Sequence, residues 1–456
     1  MKQRYLSLDF LRGLTIFGMV FSAIIPYGVL PAWMYHIQNP PPSHELDIAV
    51  TGISWVDLVF PIFIFCMGAA IPLSGRSKIE KGISAGSYIL STIERFFMLW
   101  FFSYAYVLLN FTTADGMWPQ IFTILGFCAL FPLYMVLKRK NSLPVRLAGA
   151  AAVIAIIAIG HFWFGEVISV QRRGIIIFLL AFLYLFGSLI WYFTRERLKL
   201  RANILILLFV FTYITKELGY PAATYANPQV RWWFNMEYFY FLLLLVPATY
   251  IGDILYKRVK EGNIYNNIGG KATHLFFPLA LLTVIWLCYA FYMNMGALFI
   301  IIVATAPFSI LFYIACRHLP QYLEFLFVAA LLLVCGTAMI PVEGGITKVP
   351  CTISYCFATC SISILLLIFS DYLCKYIPGS FLVKVFSGAG MNPLMSYIAF
   401  DSLVMPLMKV TGLVAVYRAA YPAGCPLAGV ARAAVAVLLT MWIVSLLSRR
   451  KIFWKA

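Results

Sequence analysis

The chain has 456 residues, of which 63% are hydrophobic and 11% charged, and a formal net charge of +17. Soluble domains run nearer half apolar and a quarter charged, so this composition, with a mean hydropathy of +0.90, excludes a soluble globular protein. The basic surplus would point to nucleic acid in a soluble chain. Here it is spread over alternate loops between apolar runs, the pattern of cytoplasmic loops in a membrane protein, and no nucleic-acid partner is expected.

Apolar runs of about 20 residues match a hydrocarbon core about 30 Å thick. Such runs must be helices or strands of a closed barrel. Their length and lack of period-two alternation select helices. The first run follows Lys2 and Arg4, is long and lacks a small-residue cleavage site, so it reads as a retained first span. In chain order, spans are expected near 9–31, 53–75, 87–111, 118–138, 146–164, 174–194 and 202–218. Further spans are expected near 236–256, 273–293, 297–316, 321–341, 349–373, 393–412 and 428–448. The expected fold is a single all-α polytopic membrane domain over 1–456 with about 12–14 helices.

Lys2, Arg4 and the segments GRSKIEKG (75–82), KRKNSLPVR (138–146), RERLKLR (195–201), YKRVKEGN (256–263) and SRRKIFWK (448–455) fall on one side of this arrangement. They predict both termini in the cytoplasm. Arg172 and Arg173 break the pattern if their loop is external, which calls either for two mis-assigned spans or for a partner. The joint MNMG (293–296) is short enough to lie within one broken helix. The ten cysteines mostly sit inside apolar segments, with no CxxC spacing. They read as small core residues, and no metal is expected.

Ionisable side chains are costly in hydrocarbon and mark candidate sites. The first hairpin concentrates them. Asp9 and Arg12 stand at the mouth of the first span, Asp57 at the head of the second, and His36 and His44 lie in the loop WMYHIQNPPPSHELD between.

This hairpin resembles the family of heparan-alpha-glucosaminide N-acetyltransferase and its bacterial relatives, within a wider superfamily of transmembrane acyltransferases. The matching pieces are SLDFLRGLTI (7–16), GISWVDLVFPIFIFCMGAAIPLS (52–74) and IERFFMLWFF (93–102). Others are PQIFTILGF (119–127), GGITKVPCTISY (344–355) and GMNPLMSYI (390–398), in the family's order across most of the chain. The proline-rich loop looks closer to an uncharacterised bacterial branch, which implies a multi-pass protein of the bacterial inner (plasma) membrane. The resemblance implies transfer of an acetyl group from cytoplasmic acetyl-CoA to an amine or hydroxyl of an external sugar, with a loop histidine as the key catalytic group. It also implies a possible homodimer. The sequence departs from the family at specific places. Asp47 stands where the family histidine is expected, Ser22 or Ala23 where an asparagine is, and Phe400 followed by Asp401 where a histidine and an acid are.

Acyl transfer from a thioester needs acceptor deprotonation, oxyanion stabilisation and alignment. Histidine suits the first task. The expected catalytic residues are therefore His36, beside aromatic residues able to stack on a sugar, His44 as the alternative, and Asp57 to orient a histidine or bind the acceptor. Arg12 is expected to meet the phosphates of CoA, with Asp9 three residues away on the same helix face to hold it. Arg95 would face the CoA path, and Asn392 would contact the pantetheine arm or a carbonyl, against an ordinary helix cap. Asp401, with Lys409 as candidate partner, is a further intramembrane carboxylate. Two other readings stay open: a proton-coupled secondary transporter of a sugar or related small molecule, and an acyltransferase-like protein that has lost its chemistry.

Overall fold

The computed structural model describes residues 4–135, 142–262, 264–265 and 268–455. The charged positions Lys2 and Lys138 to Lys140 used in the topology argument, with Asn263, lie outside the described residues.

The described chain is helical, with a single isolated bridge between Met135 and Trp454. The helices are α1 Leu6–Ile24, α2 Trp55–Ile79, α3 Ala85–Leu108, α4 Met117–Tyr134 and α5 Ser142–Phe164. They continue with α6 Ile175–Thr194, α7 Leu198–Glu217, α8 Leu242–Lys260, α9 Thr273–Tyr292 and α10 Ala297–His318. The last are α11 Leu323–Met339, α12 Ile353–Tyr376, α13 Phe381–Gly390, α14 from Pro393–Ala399 through Phe400–Val404 to Met405–Val410, and α15 Pro426–Arg449.

Among the described residues, 12 helices are long and apolar enough to cross a membrane. The protein is an all-α polytopic membrane protein. Two of the fourteen expected spans fall outside that twelve for different reasons. The 24-residue α3 carries Glu94 and Arg95 among serines and tyrosines. In α14 the helix is interrupted by a π-type turn at Phe400–Val404. The ten-residue α13 is an additional short apolar helix that the hydropathy pattern did not resolve. The MNMG joint does separate two helices, α9 and α10, with Asn294 at φ 49° between them.

The centre of the bundle is α2, α8 and α12, whose apolar windows are 72%, 83% and 89% buried, while α5 and α7 at 17% form its rim. Helices in lipid gain little from hydrophobic exclusion and rely on close approach at small residues. Gly68 and Gly252 provide it where α2 meets α8: a Cβ on Gly252 would collide with the backbone of Ala69. Gly13 and Gly390 do the same where α1 crosses α13, each lying against the other helix's carbonyl oxygens.

The basic loops gather on one face. Arg76 bonds Asp253 (2.8 Å) and Glu196 (3.0 Å), Arg201 bonds Asp253 (2.8 Å), and Lys260 bonds Glu80 (2.9 Å). The two ends of the described chain meet on this face, with the Arg4 guanidinium 5.2 Å over the Phe453 ring. Arg172 and Arg173 both have partners: Glu166 at 2.5 Å, and the carbonyl of Arg231 at 2.6 Å.

Candidate functional site

The sequence Ser54-Trp-Val-Asp57 starts α2 with a capping box. The Asp57 carboxylate reaches back to the Ser54 backbone N–H at 3.1 Å and its hydroxyl at 2.9 Å, satisfying donors that a helix start leaves open. The same carboxylate accepts from the Ile37 backbone N–H at 3.1 Å and lies 2.7 Å from His36 Nδ1. Asp57 is 2% exposed and the His36 side chain 42% exposed. Carboxylate against Nδ1 calls for the proton on Nδ1, which leaves Nε2 as a basic lone pair.

A third group completes this cluster from the far end of the chain. Lys348 Nζ lies 3.4 Å from His36 Nδ1 and 3.9 Å from Asp57 Oδ1. Burial disfavours its ammonium and pulls its pKa below the ordinary lysine value, with Asp57 opposing that pull. The loop carrying it is tied to the first hairpin by a reciprocal pair: Gln38 Nε2 donates to the Val349 carbonyl at 2.5 Å, and the Val349 N–H donates to Gln38 Oε1 at 3.0 Å. Tyr355 at the start of α12 donates to the Asp57 carbonyl at 2.6 Å. Lys348 and Tyr355 sit inside the GGITKVPCTISY piece, so the signal was present, but nothing local in it specifies a partner some 300 residues away.

His44 does not join this cluster. Its ring packs between Tyr27 (4.1 Å between centroids) and Tyr35 (4.7 Å), and both ring nitrogens are buried without a hydrogen-bond partner. It braces the loop through aromatic contacts.

At the opposite end of α2 is a cavity of about 920 Å³. Its lining includes Arg4, Arg12, Arg95, Lys260 and Lys455, against the carboxylates of Asp9 and Glu80. Asp9 and Arg12 pair as the spacing predicts, at 3.2 Å. Arg12 is more constrained than a free phosphate fork: it also donates to the Gly390 carbonyl at 3.1 Å and approaches the Cys66 carbonyl at 3.5 Å. It therefore clamps α1, α2 and α13 together while lining the cavity. Arg95 stacks on Tyr184 at 4.2 Å, and its Nε is buried without a partner. Its neighbour Glu94 pairs with Arg146 instead, at 3.2 Å.

Asn392 lies just behind the cavity wall and is fully buried. Its amide donates to Ser448 Oγ and the Ile452 carbonyl, both at 2.8 Å, and its oxygen accepts from the Trp454 N–H at 2.9 Å. It makes no cap bond to its own helix. Asn392 holds the segment after α15 in place, and that segment brings Trp454 and Lys455 to the cavity. Lys455 has its ammonium disfavoured by burial and then by Arg4, Arg95 and Lys78, a sign of uncompensated positive charge at the mouth. Sequence reading missed both residues as site components. Lys409 donates to the Thr112 carbonyl at 2.8 Å rather than serving Asp401, which lies in the π-type turn.

The cavity's inner residues Phe63 and Met67 share α2 with Asp57. Six residues from Asp57 to Phe63 amount to about 9 Å along a helix axis.

A family model described as a domain of unknown function (DUF5009) matches residues 4–255, more than half of the chain. The chain belongs to this family. No curated protein matches it. The matched stretch contains His36, Asp57, Asp9, Arg12 and Arg95, while Lys348, Asn392 and Lys455 lie beyond it.

Proposed function

We propose that this protein is an integral membrane acyltransferase. It takes an acetyl group from acetyl-CoA held in the cavity among the basic loops and delivers it to an amine or hydroxyl of a sugar at His36. The observation that carries this reading is the buried Asp57 carboxylate 2.7 Å from Nδ1 of a half-exposed histidine. It stands on the same helix as a large, positively charged cavity. The resemblance of SLDFLRGLTI and GISWVDLVFP to transmembrane acetyltransferases supports it.

The residues fit the donor. Arg4, Arg95, Lys260 and Lys455 supply positive charge for phosphates, and Leu8, Phe63, Met67 and Leu73 line an apolar path for the arm. In the transfer, His36 Nε2 takes the proton of the acceptor as its nitrogen or oxygen attacks the thioester carbonyl. The new C–N or C–O bond forms, the C–S bond breaks, and the proton passes from Nε2 to the departing thiolate. Asp57 holds the imidazole in the required tautomer and stabilises its protonated form. The reading requires the donor's arm to reach past Phe63.

The test is labelled acetyl transfer by purified protein in bilayers. His36→Ala should lower the rate by about 10²–10⁴-fold, the usual contribution of a general base, with acetyl-CoA still raising the melting temperature. Unchanged turnover in this variant would remove His36 from the chemistry.

A second reading, a proton-coupled transporter, draws on Asp371. This wholly buried carboxylate accepts from Tyr5 at 2.9 Å and Tyr322 at 2.8 Å, with Arg258 at 3.7 Å, and Tyr5 lines the cavity. Stabilisation by a sugar alone, with none by acetyl-CoA, would favour it.

A further inference from the structure

Lys348 stands beside His36 as a cation with no acceptor for its protons. Among the described residues its Nζ has two polar neighbours, His36 Nδ1 at 3.4 Å and Asp57 Oδ1 at 3.9 Å. Nδ1 is itself the donor to Asp57, at 2.7 Å. The Oδ1 distance is beyond hydrogen-bond reach, so Asp57 attracts the ammonium without bonding it. The other oxygen of Asp57 already accepts from the Ile37 N–H, the Ser54 N–H and the Ser54 hydroxyl. Two further carboxylates serve this loop, and both are committed. Glu343 receives the Ile353 and Ser354 N–H groups at the start of α12 and the Lys216 ammonium at 3.1 Å, while Glu237 receives the Cys351 N–H at 3.3 Å. Lys216 thus has a bonded oxygen where Lys348 has none.

The backbone on either side of Lys348 is pinned. The Ile346 carbonyl accepts from the Gly52 N–H at 2.7 Å. Thr352 bonds both the N–H and the carbonyl of Thr347. Val349 is paired with Gln38 through both its N–H and its carbonyl. The Lys348 side chain is 24% exposed against 2% for Asp57, so an incoming group can reach it. Positive charge fixed in place before a reaction stabilises negative charge that appears only in the transition state, with nothing left to reorganise. The transfer produces one such charge. When the acceptor attacks the thioester, the carbonyl π electrons move onto its oxygen, while His36 and Asp57 are occupied with the acceptor's proton.

We propose that Lys348 is a further catalytic residue, whose ammonium donates to the oxyanion formed beside His36. It keeps its proton throughout. The electron pair returns to the carbonyl as the C–S bond breaks, and the thiolate leaves with the proton held on Nε2. This role deepens the acyltransferase reading and rests on it.

The experiment is steady-state transfer from labelled acetyl-CoA by the full chain in bilayers, with glucosamine, N-acetylglucosamine and glucose as acceptors. Lys348→Met should lower kcat by about 10²–10³-fold, the usual effect of removing one such donor. KM for both substrates should stay within about twofold, because the contact is made only in the transition state. The melting temperature at neutral pH should hold. Lys348→Arg keeps the charge and should recover about tenfold of the loss. A raised KM for the sugar at unchanged kcat would make Lys348 a ground-state binding group and overturn the assignment. So would an unchanged kcat in Lys348→Met, with the acyltransferase left standing. Equal loss in the Met and Arg variants would reduce Lys348 to a structural partner of Asp57. Absence of turnover in the parent with all three sugars would remove the acyltransferase reading and this role with it.

Discussion

The two ends of α2 are built on opposite principles. At its start, the Asp57 carboxylate is surrounded by His36, Ser54, Ile37 and Lys348 and is closed to solvent. At its far end, cationic side chains outnumber carboxylates around open volume, and Arg95 keeps a buried nitrogen without a partner. The first arrangement fixes one proton's position before any substrate arrives. The second leaves charge uncompensated until an anion arrives. Pre-organised chemistry and pre-paid attraction are different uses of buried charge, and each end should fail in its own way when altered.

The largest effect is expected at the closed end. Asp57→Ala leaves the buried Ser54 donors without their acceptor and the partly exposed Lys348 ammonium without its partner, a class of change that costs about 1–3 kcal/mol. The thermal transition should fall markedly and acetyl transfer should be lost. A variant that melts like the parent would show that the cluster contributes little to folding. At the open end the cost should appear in binding instead. Arg95→Ala and Lys455→Ala should each weaken acetyl-CoA about tenfold, roughly 1.4 kcal/mol, while the melting temperature of the free protein holds or rises. Titration calorimetry reads this directly, and an affinity equal to the parent's in both variants would move the donor elsewhere.

A smaller effect at the closed end is read by pH. Lys348 binds its proton less readily when folded than the ordinary lysine value of 10.5. Between its folded pKa and 10.5 the unfolded chain holds more protons, so this group makes stability rise with pH across that window. Lys348→Met should flatten that rise; an identical pH profile in the variant would mean that Lys348 is not desolvated. Smallest of all is His44→Phe. It keeps the ring between Tyr27 and Tyr35 and removes two unsatisfied nitrogens, so stability should change by less than about 1 kcal/mol and transfer not at all. A large loss of activity would return His44 to the site.

The contrast also explains what could be read in advance. Span positions follow from twenty-residue apolar runs, and the structure places helices at all fourteen expected positions. Even α3 and α14 were visible despite Glu94, Arg95 and the break at Phe400–Val404. The Asp9–Arg12 pair is local, three residues on one helix, and was legible for that reason. Lys348 was not, because its partners are set by how the loop after α11 folds onto the first hairpin, through Gln38 and Val349. Asn392 illustrates the reverse case. Its position before Pro393 suggested a cap or a ligand contact, but its partners come from beyond α15. A side chain that serves a distant segment leaves no spacing to detect.

The near-complete enclosure of α12 has a consequence for biogenesis. This helix is late in the chain, yet it fills the centre among α2, α8, α9 and α11. Helices made earlier must keep a slot for it or part to admit it. Until it arrives, Tyr5, Tyr322 and Arg258 lack the carboxylate of Asp371, and a stalled chain would present these polar groups to lipid. The polar contacts of the bundle's centre are thus completed only by a helix made late in the chain.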